Sequence, residues 1–294
     1  MAMRGFGDYN PIAVFVCLMS CAGIAVFTLN PVIIILSVIG AAGLWFVRMG
    51  TDNMKSHLLG AAMLVVLPLL NMLVSHKGAT VFIVINDNPV TLESLVYGVF
   101  STMMLVSVLY WFRSFSQIMT SDKILYLLGR VSPKLALVLS MTLRFIPHFS
   151  RQAKKIDNAQ KVMGLYKEDN IVDSAKGKLR VFSVLVTWGL ENGITTADSM
   201  TARGYGTVRR TSFSVFRFGR SDALLTAVTL LLLGGCVAGM AFGGAEFSYY
   251  PKMTGIPRDI SSLIVYICYG IMTLLPTVIE TEVKLRWHSL KSAI

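Results

Sequence analysis

The chain has 294 residues, of which 54% are hydrophobic and only 15% charged, and its mean hydropathy is +0.63. A soluble domain of this length would be about 25% charged, and disorder needs low hydrophobicity, so both are excluded in favour of an integral membrane protein. The net charge of +11 is concentrated in one place: residues 113–220 hold 18 Lys/Arg against 7 Asp/Glu, and the rest of the chain is balanced. Long apolar runs flank this basic block on both sides. That favours anionic lipid or an acidic protein as its partner and argues against nucleic acid.

A membrane-spanning helix needs about 20 mostly apolar residues. In chain order such runs occupy residues 11–29, 31–47, 58–75, 92–112, 223–242 and 260–279. The first two part at Asn30-Pro31, because proline disfavours helix in the residue before it. The second run is short, so five or six spans are expected. Only Arg4 precedes the first run, which continues through Phe27 and Leu29 past the weak cleavage-like stretch at Leu18-Met19-Ser20-Cys21. It reads as a retained helix. Between the third and fourth runs, Val81 to Ile85 followed by Asn86-Asp87-Asn88-Pro89 reads as a short β-like excursion closed by a turn. Cys17, Cys21, Cys236 and Cys268 all fall within apolar runs and read as small buried side chains.

Lys and Arg gather in segments 1–10, 48–57, 113–222 and 280–294, whereas the alternate segments carry Lys77, Lys252 and Arg258. The asymmetry predicts a multi-pass cell-membrane protein with both termini and the basic block in the cytoplasm. The expected organisation is N-terminal transmembrane helices over 1–112, a cytoplasmic or interfacial block over 113–220, and C-terminal transmembrane helices with a tail over 221–294.

Within the block, residues 114–129 are amphipathic. Residues 131–164 read as one helix about 50 Å long, apolar to Leu143 and basic afterwards, with Pro147 where a kink is favoured. A charged loop is expected from Lys167 to Lys178, and a second long helix over 179–203. Gly189, Gly193 and Ala197 on the second helix, and Ser132, Ala136 and Ser140 on the first, recur at four-residue spacing. Small residues so spaced let two helices cross closely, so these six are read as the helix crossing, a matter of packing.

Catalytic constellations are missing from the sequence. Gly177-Lys178 lacks the upstream glycine and the following Ser/Thr of a phosphate-binding loop. His57, His76, His148 and His288 are scattered, without the His-Glu-x-x-His spacing of a zinc site. No Gly-x-Ser-x-Gly elbow occurs. Glu93 and Asp259 sit at run ends, so no charge marks an ion route in mid-span. No catalytic residue, cofactor site or metal site is therefore expected. A self-sufficient secondary transporter remains the alternative; it would need a charged or broken helix at mid-membrane.

The strongest local signal runs from Ala197 through Ala202-Arg203-Gly204 to Gly206, at the end of the second long helix. Gly204 suits the position just past a helix end, and Arg203 suits the negative end of the helix dipole. An exposed guanidinium there also offers a fork for an acidic partner.

With these residues the sequence resembles the transmembrane T component of energy-coupling factor transporters, the CbiQ/EcfT family, over roughly residues 10 to 285. Members end two long cytoplasmic coupling helices with Ala-Arg-Gly motifs. The second motif is intact as Ala202-Arg203-Gly204 within Asp198-Ser199-Met200-Thr201-Ala202-Arg203-Gly204-Tyr205. The first follows Arg144-Phe145-Ile146-Pro147 and the basic helix. There Ala159-Gln160-Lys161 fits the family, but Val162-Met163-Gly164 keeps only the glycine. The resemblance implies an energy-coupling subunit that is not itself an enzyme. Ala202, Arg203 and Gly204 would dock one cytoplasmic ABC ATPase; Lys161, Val162, Met163 and Gly164 would dock a second. A separate membrane subunit, the S component, would bind the transported vitamin or metal ion.

Overall fold

The computed structural model describes residues 5–49, 54–74, 78, 80–85, 88–165, 171–207, 216–251 and 253–291. Among these, the helices are α1 (Pro11–Phe27), α2 (Pro31–Met49), α3 (Met54–Val74), α4 (Leu92–Ile118), α5 (Ser121–Val131), α6 (Pro133–Val162), α7 (Ile171–Ala202), α8 (Arg220–Ala241) and α9 (Ile260–Lys291). One antiparallel hairpin, β1 (Val81–Ile85) with β2 (Asn88–Thr91), precedes α4. The protein is an all-α integral membrane protein. α2, α4, α8 and α9 are long and apolar enough to span a bilayer, and Pro11–Phe27 and Leu58–Met72 are shorter apolar helices.

The starts of the helices follow directly from local sequence. Asn10 and Asn30 each accept a hydrogen bond on their side-chain oxygen from the backbone N–H two residues on, at 3.1 Å from Ile12 and 3.0 Å from Val32. Pro11 and Pro31 occupy the first helical position, where the missing N–H costs nothing. Thr91 caps α4 by accepting from the Ser94 N–H at 3.3 Å. Asp222 caps α8 by accepting from the Gly219 N–H at 2.8 Å, and its other carboxylate oxygen accepts from the Asn10 N–H at 2.8 Å. This buried carboxylate thus joins the start of α1 to the start of α8.

The chain forms two compact units, residues 1–124 with 216–294, and residues 125–215. In the first, α4 packs on α1, α2 and α3, while α9 packs on α2 and α8. Trp45, Trp111, Tyr269, Ile33, Ile34 and Leu44 are its most enclosed large side chains. Polar tips among them are satisfied: the Trp111 indole donates to the Ser37 hydroxyl at 3.1 Å and the Tyr269 hydroxyl to the Cys21 carbonyl at 3.1 Å. In the second unit α6 packs on α7.

Several boundaries differ from the sequence reading. α4 continues past the apolar run to Ile118, because Trp111, Ser114 and Ile118 stay on its buried face. The stretch expected as a charged loop is helical from Ile171 onward; Asp173 in the first turn favours the helix N-terminus, and Ala175, Lys176 and Lys178 are tolerant of helix. Residues 167–170 lie outside the described residues, as do Asn86 and Asp87 of the expected turn. α9 extends past its apolar run to Lys291 as a polar continuation.

Candidate functional site

α6 and α7 end in the same backbone construction. At the end of α7 the Gly204 N–H donates to the Thr201 carbonyl at 2.9 Å and the Tyr205 N–H to the Met200 carbonyl at 3.0 Å. At the end of α6 the Gly164 N–H donates to the Lys161 carbonyl at 3.0 Å and the Leu165 N–H to the Gln160 carbonyl at 3.1 Å. Both are Schellman caps, which require a left-handed residue: φ is +81° at Gly204 and +68° at Gly164. Gly164 therefore closes α6 as Gly204 closes α7, although Val162 and Met163 stand where the other helix end has Ala202 and Arg203.

The two caps differ in chemistry. The α7 cap presents exposed Ala202 and Arg203, followed by half-exposed Tyr205. At the α6 cap, Lys161 pairs with Asp157 one turn back at 3.2 Å. Such an i,i+4 pair on a helix surface contributes only about 0.3–0.5 kcal/mol, but it answers the lysine's charge within its own helix. What the α6 cap offers outward is apolar: Val162 is 89% exposed, Met163 65% and Leu165 47%. One tip carries a cation and the other a hydrophobic knob.

α6 and α7 meet through an aromatic cluster. The Phe149 ring lies 5.4 Å from that of Trp188, and His148 lies 5.2 Å from Trp188. Gly189 gives Phe149 its room: a Cβ on Gly189 would fall 2.7 and 2.8 Å from two of the Phe149 ring carbons. The other five residues read as the crossing are placed elsewhere. Gly193 has nothing within 4 Å of where its Cβ would be, and Ala197 and Ser140 are exposed. Ser132 is the N-cap of α6, and Ala136 faces Gly129 of α5. An aromatic side chain seated on a glycine thus replaces the expected contact between two small-residue stripes.

From this contact, segments 149–162 and 189–202 each run about 20 Å to their caps at 1.5 Å per residue. α7 also carries an exposed apolar stripe, Leu179, Phe182, Val186, Leu190 and Ile194. Exposed apolar surface of this kind marks an interaction face. Sequence reasoning passed over this stripe, and over Leu165 beyond the α6 cap. The three- and four-residue spacing of the stripe was its available signal.

A family model described as "Cobalt transport protein", CbiQ, matches residues 8–215. Relatives named "Energy-coupling factor transporter transmembrane protein EcfT" align over part of the chain. The protein of Lactobacillus helveticus is 32% identical over 103 residues, covering 34% of this chain and 37% of that protein. Its namesake from Lacticaseibacillus paracasei is 35% identical over 103 residues, covering 34% and 39%. "EcfT 1" of Listeria monocytogenes is 33% identical over 105 residues, covering 35% and 40%. The chain thus spans about two fifths of the length of the curated relatives it matches. With the family model covering well over half of its residues, the chain belongs to the CbiQ family.

Proposed function

We propose that this protein is the energy-coupling transmembrane subunit of an ATP-driven importer for a vitamin or metal ion. In this reading it catalyses nothing itself and takes no cofactor. Two cytoplasmic ABC ATPases hydrolyse ATP and dock on the two caps, Ala202-Arg203-Gly204 on α7 and Lys161-Val162-Met163-Gly164 on α6. Closure of the ATPases drives the arms of the α6–α7 pair, and the apolar stripe on α7 passes the motion to a substrate-binding S component in the membrane. Residues 1–112 and 221–294 then serve as the membrane anchor and 113–220 as the cytoplasmic coupling block. The skew of Lys and Arg supports the same sidedness, with both termini in the cytoplasm.

The observation that carries this reading is the repetition of one exposed cap at the C-terminal ends of two packed helices. Two separate docking points on one packed helix pair suit a bridge between two motor subunits. A membrane-embedded active site would instead bring polar groups together in a pocket.

The test is co-purification of the full chain with both ATPases, together with ATP-driven uptake. Removing one partner of a desolvated charge pair costs about 2–5 kcal/mol, or roughly 30- to several-thousand-fold in affinity. Arg203→Glu should exceed that by opposing like charges and should release one ATPase without altering membrane insertion. Met163→Glu should weaken the other ATPase by placing a charge in an apolar seat. High salt should loosen wild-type docking at Arg203 more than at Met163. Retention of both ATPases and full uptake by both variants would overturn the proposal, as would transport by the chain reconstituted alone.

A further inference from the structure

α3 stands at the edge of its bundle and packs mainly on α4. Much of its apolar surface is exposed, including Leu58, Leu59, Val65, Leu69 and Val74. Near the start of α3 and the end of α4 the two helices part around a cavity of about 320 Å³, lined by Gly60 and Met63 from α3 and by Val106, Tyr110 and Arg113 from α4, among others. Gly60 keeps it open: a Cβ there would lie 3.2 Å from the Tyr110 hydroxyl and 3.8 Å from Val106 Cγ1. The volume sits at the small end of the ligand-pocket range of about 300–1,000 Å³. A helix, about 10 Å across, does not fit such a space, but an extended hydrocarbon chain does.

The lining is apolar except at one end. There the Arg113 guanidinium lies 5.0 Å from the centroid of the Trp45 ring, and Trp45 and Tyr110 approach each other at 6.4 Å. A guanidinium stacked on an aromatic face keeps its N–H donors around its edge, suited to the oxygens of a phosphate. Trp45 is buried and serves as the face on which Arg113 lies, whereas half-buried Tyr110 beside an exposed cation at the end of a span suits the headgroup level of a bilayer. The same end of this unit carries Arg48 in the last turn of α2, although its charge is answered by Glu280 at 3.7 Å. Lys123 is there as well, and its ammonium donates to the Gly7 carbonyl at 2.6 Å and the Ile118 carbonyl at 2.8 Å. A hydrocarbon slot with a positive mouth complements one kind of molecule already abundant around a membrane helix.

We infer that the groove between α3 and α4 is a binding site for an anionic phospholipid, with an acyl chain on Gly60 and Val106 and the headgroup phosphate on Arg113. The site is independent of the docking caps, because every residue in it belongs to the transmembrane unit. Basic pockets between spanning helices recognise anionic headgroups by this combination of charge and depth.

The experiment is native mass spectrometry of the full chain in detergent, titrated with phosphatidylglycerol, with phosphatidylcholine of the same acyl chains, and with soluble glycerol phosphate. Wild type should retain phosphatidylglycerol in preference to phosphatidylcholine and should not retain glycerol phosphate, since the chain and the headgroup are both needed. Arg113→Gln, which leaves the groove walls intact, should lower phosphatidylglycerol retention about fivefold towards the phosphatidylcholine level. That is the factor for ~1 kcal/mol per basic residue at an anionic surface. Gly60→Leu should block both lipids, and Met63→Phe provides a second filler if Gly60→Leu does not fold. Equal retention of the two phospholipids by wild type would overturn the proposal. So would undiminished phosphatidylglycerol retention in Arg113→Gln, or fillers that release another membrane subunit while lipid retention is unchanged.

Discussion

Replacing Gly189 and Gly193 by alanine, one at a time, separates packing from backbone propensity. Both glycines lie inside α7, where Gly→Ala favours the helix by up to about 1 kcal/mol. At Gly193 nothing lies within 4 Å of the new methyl, so that gain should stand alone. At Gly189 the methyl would fall 2.7 Å from the Phe149 ring, and Phe149 is flanked by Trp188 at 5.4 Å and Phe145 at 6.2 Å. The ring has to move against those neighbours, and overpacking of this kind costs about 1–3 kcal/mol. Gly193→Ala should therefore raise the thermal midpoint of the purified chain, and Gly189→Ala should lower it or leave it near wild type. The gap between the two should be about 1–3 kcal/mol and should close in a Phe149→Leu background, as a double-mutant cycle requires for a direct contact. ATP-driven uptake should fall with Gly189→Ala alone, because that contact holds the two arms together. Equal midpoints for the two single variants would show that Gly189 does not seat α6 and would remove the basis for the crossing.

Gly164→Ala and Gly204→Ala force a side chain into the left-handed region and should each cost about 1–2 kcal/mol, weakening recovery of the ATPase at the same cap; unchanged recovery would separate cap geometry from docking. Asp222→Ala leaves the Asn10 and Gly219 N–H groups without their acceptor, so unfolding should come about 1–3 kcal/mol easier for each donor left buried, and an unmoved melting curve would refute the clamp. Burial, reinforced by Arg48 and opposed by Asp8, pushes the Lys123 ammonium below its usual value of 10.5. A cation with a depressed native pKa disfavours the fold while charged, so stability from this group should rise as pH climbs from the native value towards 10.5; thermal midpoints across that alkaline range should lose this slope in Lys123→Met.

Of the five or six spans expected, four described helices are long and apolar enough to cross a membrane; they were legible because unbroken apolar length and the break at a proline are local signals that survive folding. α1 and α2 begin where Asn10-Pro11 and Asn30-Pro31 say they should. Boundaries were lost where a helix outlasts its apolar run: hydropathy reports contact with lipid, so the last turns of α4 and the polar end of α9 gave no signal. The caps were visible as Gly164 and Gly204, since few residues other than glycine close a helix in this way. The crossing was not. Spacing shows that Gly189 and Gly193 can both accept a close neighbour, but the one that receives it depends on where an aromatic ring arrives from another helix, and four-residue periodicity carries no such information. Glu93 was visible only as a charge at the end of a run. Its burial depends on Thr80, thirteen residues away, whose backbone N–H donates to the carboxylate at 3.2 Å.

The carboxylate of Asp222 sets an order of events during synthesis. It belongs to α8 but completes the cap of α1, 212 residues earlier in the chain. α1 also packs on α8, and α2 packs on α9, so the first helices reach the membrane long before the surfaces they will cover exist. At about 5–20 residues per second, the ribosome needs roughly 10–40 s to deliver Asp222 after Asn10. From the completion of α4 at Ile118, about halfway through that interval, α1 to α4 must persist as a partial bundle with lipid in place of α8 and α9, while the α5–α7 segment emerges. The last two helices then close the bundle from the outside, and the charged middle of the chain is left with both its ends fastened to an assembly completed only after its own translation.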